Sequence, residues 1–266
     1  MSTMTYVASD SITMLRRNLL HVVRYPGLSL FTILGPVVVL LLTVFIFGGT
    51  LGAGLPGVSA AGGRDAYLAY VMPGILLITI SGTASGAAIT VAMDMTEGIT
   101  ARFRTMSISR AAVLTGHVLG NTIQAVIAVA LVLGVGLLIG FRPTATPVEW
   151  LGAAGLIVLI SFAISWIGVA MGMQSKTVET ASNLPLVLTI LPLLGSGFVP
   201  TGSMPTWLQG FAEYQPFTPF IESIRGVLLG TPLELSVPLA IGWSVALGLA
   251  GYIWSMVLYE RKSVRA

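Results

Sequence analysis

Long stretches without a charged side chain alternate along this chain with short polar segments. Six such runs exceed 24 residues: Tyr25–Gly63, Ala66–Met93, Ala111–Phe141, Trp150–Ser175, Thr180–Ala212 and Leu235–Tyr259. A helix needs about 20 apolar residues to cross the hydrocarbon core of a bilayer. Only a helix or a closed barrel pairs its backbone polar groups internally at that depth. Each run therefore predicts one transmembrane helix, centred near Val38, Ile80, Val126, Phe162, Thr189 and Ala246. The expected spans are Leu28–Phe47, Tyr67–Met93, Ala111–Ile139, Trp150–Met173, Ser182–Val199 and Val237–Tyr259. The fold class is an all-α polytopic membrane protein forming a single membrane domain over residues 1–266.

The polar segments predict smaller elements. In residues 9–24, Ile12, Leu15, Leu19 and Val22 fall on one helical face, with Arg17, His21 and Arg24 on another. This is the pattern of an amphipathic elbow helix lying in the membrane plane. Pro26-Gly27 then turns the chain inward, and Gly35-Pro36 predicts a kink in the first span. A glycine-rich loop is expected over Gly48–Arg64. Small-residue pairs at Gly82/Gly86, Gly116/Gly120 and Gly168/Gly172 point to closely packed helices.

Residues 94–110 form the main inner loop. Asp94-x-x-Glu97 has capping-box spacing, with Asp in place of Ser or Thr. Ile99, Phe103 and Met106 then make one apolar stripe of a short helix flanked by Arg102 and Arg104. Such a helix is too polar to cross and too apolar to stay bare. Its cover is either a partner protein or lipid headgroups. Residues 200–230 mix aromatic residues with Pro200, Pro205, Pro216 and Pro219, which predicts two short helices dipping into the outer interface. Glu222 and Arg225 within them stand at pairing distance along a helix.

Composition sharpens the picture. Hydrophobic residues make up 55% of the 266 and charged ones 9%, far below the roughly 25% charged residues of soluble domains. If the N-terminus lies inside, ten Lys and Arg face the cytoplasm, against Arg64, Arg142 and Arg225 outside. That bias sets the orientation, places both termini in the cytoplasm and accounts for the basic residues without nucleic acid. Cysteine is absent, so no disulfide or thiolate metal site exists. No signal peptide is read at the N-terminus, and the first span is expected to remain as a membrane helix.

Candidate chemistry is sparse. His117, Asn121 and Gln124 share one face of the third span. They either line a translocation pathway or bond neighbouring helices. The six runs contain no Asp, Glu, Lys or Arg, which argues against ion coupling and against a charged channel filter. No Gly-Lys pair occurs, so a phosphate-binding loop of the G-x-x-x-x-G-K-[ST] type is missing. No Ser/His/Asp constellation is present, and the chain reads as a non-enzyme. ATP, if used, must be bound by another polypeptide.

Two stretches resemble a known family. The inner EGITARFRTMSISR (97–110) and the outer SGFVPTGSMPTWLQGFAEYQPFTPFIESIRG (196–226) are similar to motifs of ABC-2-type transporter permeases, especially the daunorubicin-resistance branch of bacterial drug and lipid exporters. Gln215 stands where that family commonly has Asn, and Ile108 where proline is frequent. The resemblance implies a permease subunit that moves hydrophobic drugs or lipids out through the bacterial plasma membrane. It implies a second permease, identical or not, and a separate ATPase that binds ATP and magnesium, with no cofactor on this chain. It assigns residues 9–24 to the elbow. Glu97, Gly98, Arg102, Phe103 and Met106 fall to the ATPase contact. Phe198, Trp207, Pro216, Pro219 and Arg225 fall to an outer gate within the re-entrant segment. The alternatives are a non-transporting membrane scaffold and, behind it, an ion-coupled transporter.

Overall fold

The computed structural model describes residues 26–55, 63–96, 110–233 and 235–264, and all its regular elements are helical. The elbow at 9–24 and positions 97–109 of the inner loop lie outside the described residues.

The first span is α1 (Pro26–Leu42), continued by a π-helical turn (Thr43–Phe47) and by α2 (Gly48–Ala53). Pro36 is held inside α1. The glycine-rich loop is therefore shorter than expected, because Gly48–Ala53 and Arg64 are helical. Next come α3 (Gly63–Thr96), α4 (Arg110–Leu138) and α5 (Pro147–Gln174). After α5 the chain breaks into α6 (Val178–Asn183) and α7 (Leu186–Ile190). A 3-10 turn (Thr201–Ser203), α8 (Thr206–Tyr214) and α9 (Phe217–Leu229) precede the last span, α10 (Ser236–Val264).

Local sequence explains the ends. Thr146 caps α5: its hydroxyl accepts from the Glu149 N–H, and the Glu149 carboxylate accepts from the Thr146 N–H at 2.6 Å. Pro147 occupies the first turn, where its missing N–H costs nothing. Gly230, at φ +68°, closes α9 in the left-handed conformation that a side chain disfavours.

Among the described residues, five helices are long and apolar enough to cross a membrane: Thr32–Ala53, Gly63–Thr96, Val113–Leu138, Pro147–Gln174 and Ser236–Arg261. The expected span Ser182–Val199 is not one continuous helix. Pro185 and Pro192 lack the N–H that would bond back to the preceding turn, so only α6, α7 and a series of turns remain. The broken run still travels along α3. Gly172, just before it, presses on the Ala88 backbone, and Gly197, near its far end, meets Gly74. Those two levels of α3 are about 21 Å apart.

The core is built on α3 and α5, whose most apolar windows are 72% and 78% buried. The first and last spans, at 22% and 17%, form the perimeter. At Gly168 a β-carbon would lie 2.6 Å from the Ala84 carbonyl oxygen, and at Gly172 2.4 Å from that of Ala88. These two glycines let the α3 and α5 backbones touch. The pair at Gly82 and Gly86 does no such work. Among the described residues, nothing lies within 4 Å of a β-carbon built at Gly82, and one at Gly86 meets only Thr32 at 3.9 Å. On its other flank α5 receives α10, with Gly251 against Trp166 and the Trp166 and Tyr252 rings edge to face at 5.1 Å.

Candidate functional site

Two polar assemblies interrupt the apolar bundle, one at each end. The first lies where α3 and α4 approach the inner loop. Asp94, expected to cap a new helix, sits inside the last turns of α3. The chain has no helix breaker before Gly98, so the helix runs past the end of the apolar stretch. Asp94 is thereby drawn into the bundle and is 9% exposed. His117 of α4 is equally buried, and its Nε2 stands 3.2 Å from Asp94 Oδ2. One turn further along α4, Asn121 Nδ2 donates to the Ser165 hydroxyl of α5 at 2.8 Å. Ser165 in turn donates to the Ser161 carbonyl at 2.6 Å. Gln124, the third member of the expected polar face, is half-buried. Glu97, Gly98, Arg102, Phe103 and Met106, the expected ATPase contact, lie outside the described residues.

The second assembly centres on Arg225. The expected short helices of the outer segment are α8 and α9. Arg225 projects from α9 into the core and is 6% exposed. A buried guanidinium persists only when its charge and donors find partners. Here Nη1 donates to Glu222 Oε1 at 2.5 Å, and Nη2 donates to the carbonyls of Tyr70 at 2.9 Å and Ser196 at 2.8 Å. Its guanidinium also lies 3.9 Å from the centre of the Tyr70 ring, close enough for a cation–π contact. Arg225 thus ties α9 to α3 and to the turns before residue 200. Gln215 adds a tie from the α8–α9 junction, its Nε2 donating to the Leu191 carbonyl at 3.0 Å. That carbonyl also accepts from the Leu194 N–H at 3.1 Å within the turns after Pro192, so Gln215 takes its second lone pair.

Beside this assembly opens a cavity of about 830 Å³. Tyr70, Ser196, Glu213, Glu222 and Arg225 line its polar part, and Leu229, Leu233 and Leu239 its apolar part. The residues assigned to an outer gate do not form one cluster. Pro219 and Arg225 line the cavity. Phe198 packs partly buried on the core and its carbonyl accepts a 3.4 Å bond from the Tyr67 hydroxyl. Pro216 is half-buried at the start of α9. Trp207 points away, 78% exposed, on the same side of α8 as the exposed Phe211 and Tyr214.

Sequence reasoning missed Asp94 as a member of the bundle, and Tyr70 and Ser196 as partners of Arg225. The lack of a breaker after Met93 was a usable signal for Asp94. Tyr70 and Ser196 bind through main-chain oxygens, which residue identity does not announce. Among the described residues, no three His, Asp or Glu side chains converge as metal ligands would.

The chain is similar in sequence to known proteins. The model of the ABC-2 type transporter family matches residues 10–229. The chain is similar to the daunorubicin resistance ABC transporter permease protein DrrB1 of Streptomyces coeruleorubidus, at 26% identity over 257 residues, covering 96% of this chain and 87% of that protein. It is also similar to the probable doxorubicin resistance ABC transporter permease protein DrrC of Mycobacterium tuberculosis, at 24% identity over 200 residues, covering 75% and 72%.

Proposed function

The chain belongs to the ABC-2 type transporter family, and from that premise we propose how it works as the transmembrane permease subunit of an ABC exporter in the bacterial plasma membrane. Its cargo is a hydrophobic drug or a lipid, moved outward from the cytoplasm or inner leaflet. The observation that carries the reading is the family match across residues 10–229, which takes in both polar assemblies. The names of the two relatives, permeases of daunorubicin and doxorubicin resistance, support an amphipathic cargo.

The permease crosses six times, with the broken run from Val178 as the fifth crossing, and keeps both termini in the cytoplasm. It binds no cofactor and hydrolyses nothing itself. A separate ATPase subunit carries ATP and magnesium. Two permeases, identical or not, face each other across the pathway within membrane lipid. Glu97, Gly98, Arg102, Phe103 and Met106 meet the ATPase. Phe198, Trp207, Pro216, Pro219 and Arg225 belong to the outward end, where Arg225 fixes α9 against α3 and the exposed Trp207 meets lipid or the second permease. ATP binding shifts the permease between two states only if the ATPase holds one of them more tightly.

The test is reconstitution in lipid vesicles with and without the ATPase subunit. Efflux of a fluorescent amphiphile should require both the subunit and ATP. Uphill efflux by the chain alone, or efflux abolished by a protonophore at constant ATP, overturns the reading. Within the same system Phe103→Asp should abolish binding of the ATPase while membrane insertion survives, as read by co-purification. Normal co-purification and export remove Phe103 from the contact.

A further inference from the structure

We propose that Asp94 and His117 are positioning residues, a polar pin that makes the inner halves of α3, α4 and α5 move as one body. The proposal rests on the permease reading, because its consequence is the transmission of force. Its first ground is placement. Asp94 lies two residues before the end of α3, and His117 lies two turns into α4. These are the two helices that the chain joins through residues 97–109. The pair therefore bridges the roots of that loop from within the described structure.

The second ground is chemistry. An acid and an imidazole buried among apolar helices are costly to keep there unless each has a partner. Val118 and Leu114 beside His117, and Val91 on α3, belong to the same buried apolar cluster. Apolar packing alone would hold these helices together at lower cost. What a short polar contact adds is a fixed register, since an Nε2–Oδ2 contact at 3.2 Å is lost on a sliding movement that apolar contacts tolerate.

The third ground is the continuation of the contact. His117 and Asn121 stand four residues apart on one face of α4, and each reaches a different helix. His117 reaches Asp94 of α3, and Asn121 reaches Ser165 of α5. The triangle closes where Gly168 and Gly172 of α5 press on the backbone at Ala84 and Ala88 of α3. A push arriving at the end of either α3 or α4 is thus shared by three helices before it reaches the cavity beside Arg225. Without the pin, α3 and α4 can slip past each other and the push is dissipated.

Two measurements test this. The first uses the chain alone in nanodiscs and reads backbone hydrogen exchange in the inner halves of α3 and α4. Asp94→Asn and His117→Asn should each raise exchange by about tenfold, and the exchanged pair Asp94→His/His117→Asp should return it towards wild type. The second uses the complex with its ATPase and reads export per ATP hydrolysed. Each single variant should keep its hydrolysis rate but lose about tenfold in export per ATP, with the exchanged pair recovering most of it. Unchanged export per ATP in the single variants, or an exchanged pair as poor as they are, overturns the pin. If one single variant fails to insert, the other carries the test. A wild-type complex that exports nothing sinks the permease reading instead, and the exchange measurement then decides on the pin by itself.

Discussion

Arg225 shows how far one side chain can hold distant parts of the chain together. Its donors engage Glu222, the Tyr70 carbonyl and the Ser196 carbonyl, in three separate segments. Lysine carries the same charge but offers a single ammonium in place of a planar fork. Arg225→Lys should therefore lose at least one of the two carbonyl bonds. Arg225→Met should destabilise by about 3–5 kcal/mol, the usual cost of breaking a buried ionic pair from one side. Thermal unfolding in nanodiscs measures both, and a loss for Arg225→Met within about 1 kcal/mol, the median worth of an exposed pair, would place the guanidinium in solvent. The spacing of Glu222 and Arg225 was legible in the sequence because it is local. Their main-chain partners were not, because any residue can present a carbonyl, and which one does so depends on tertiary packing. Asp94 was legible only in hindsight of a missing breaker: a run bounded by its charges ends at Met93, whereas a helix ends where glycine or a cap stops it.

At the scale of elements, apolar run length located the long helices closely. The expected Trp150–Met173 became Pro147–Gln174, and Ala111–Ile139 became Arg110–Leu138. The exception is the Ser182–Val199 span. Pro185 and Pro192 fall seven residues apart, leaving no room between them for more than one regular turn or two. Hydropathy does not register a missing N–H. Glycine spacing was a weaker guide still, since it selected Gly82/Gly86 and Gly168/Gly172 alike. Only the latter pair faces a neighbouring backbone. Gly172→Val should cost about 1–3 kcal/mol by forcing α5 away from Ala88. Gly82→Ala should be neutral or stabilising by up to about 1 kcal/mol, because its β-carbon enters open space and alanine favours a helix. Paired melting curves of the two variants check the contrast; equal losses would mean that both glycines are packed.

For the whole molecule, the long helices outreach the bilayer. At 34 residues α3 is about 51 Å long, against a hydrocarbon core of about 30 Å. Tilt absorbs part of the excess, and the remainder carries the inner end of α3 towards the aqueous boundary, where a soluble subunit can reach it. The perimeter spans, α1 with the π-helical turn after it and α10, leave large apolar side chains such as Leu34, Phe45, Leu249 and Ile253 exposed, a surface suited to lipid or to a second permease. The widened turn at Thr43–Phe47 lies on that perimeter, its Thr43 hydroxyl donating to the Val39 and Leu40 carbonyls. A turn of this kind holds one amino acid more than the ordinary helix needs. It stores slack in an otherwise inextensible rod. Excising Ile46 should draw that slack in and leave both flanks in phase, so that the shortened protein still reaches the membrane folded. Excising the similarly exposed Val158 from α5, which has no reserve, should twist half of that helix out of register by about 100° and leave little protein to recover.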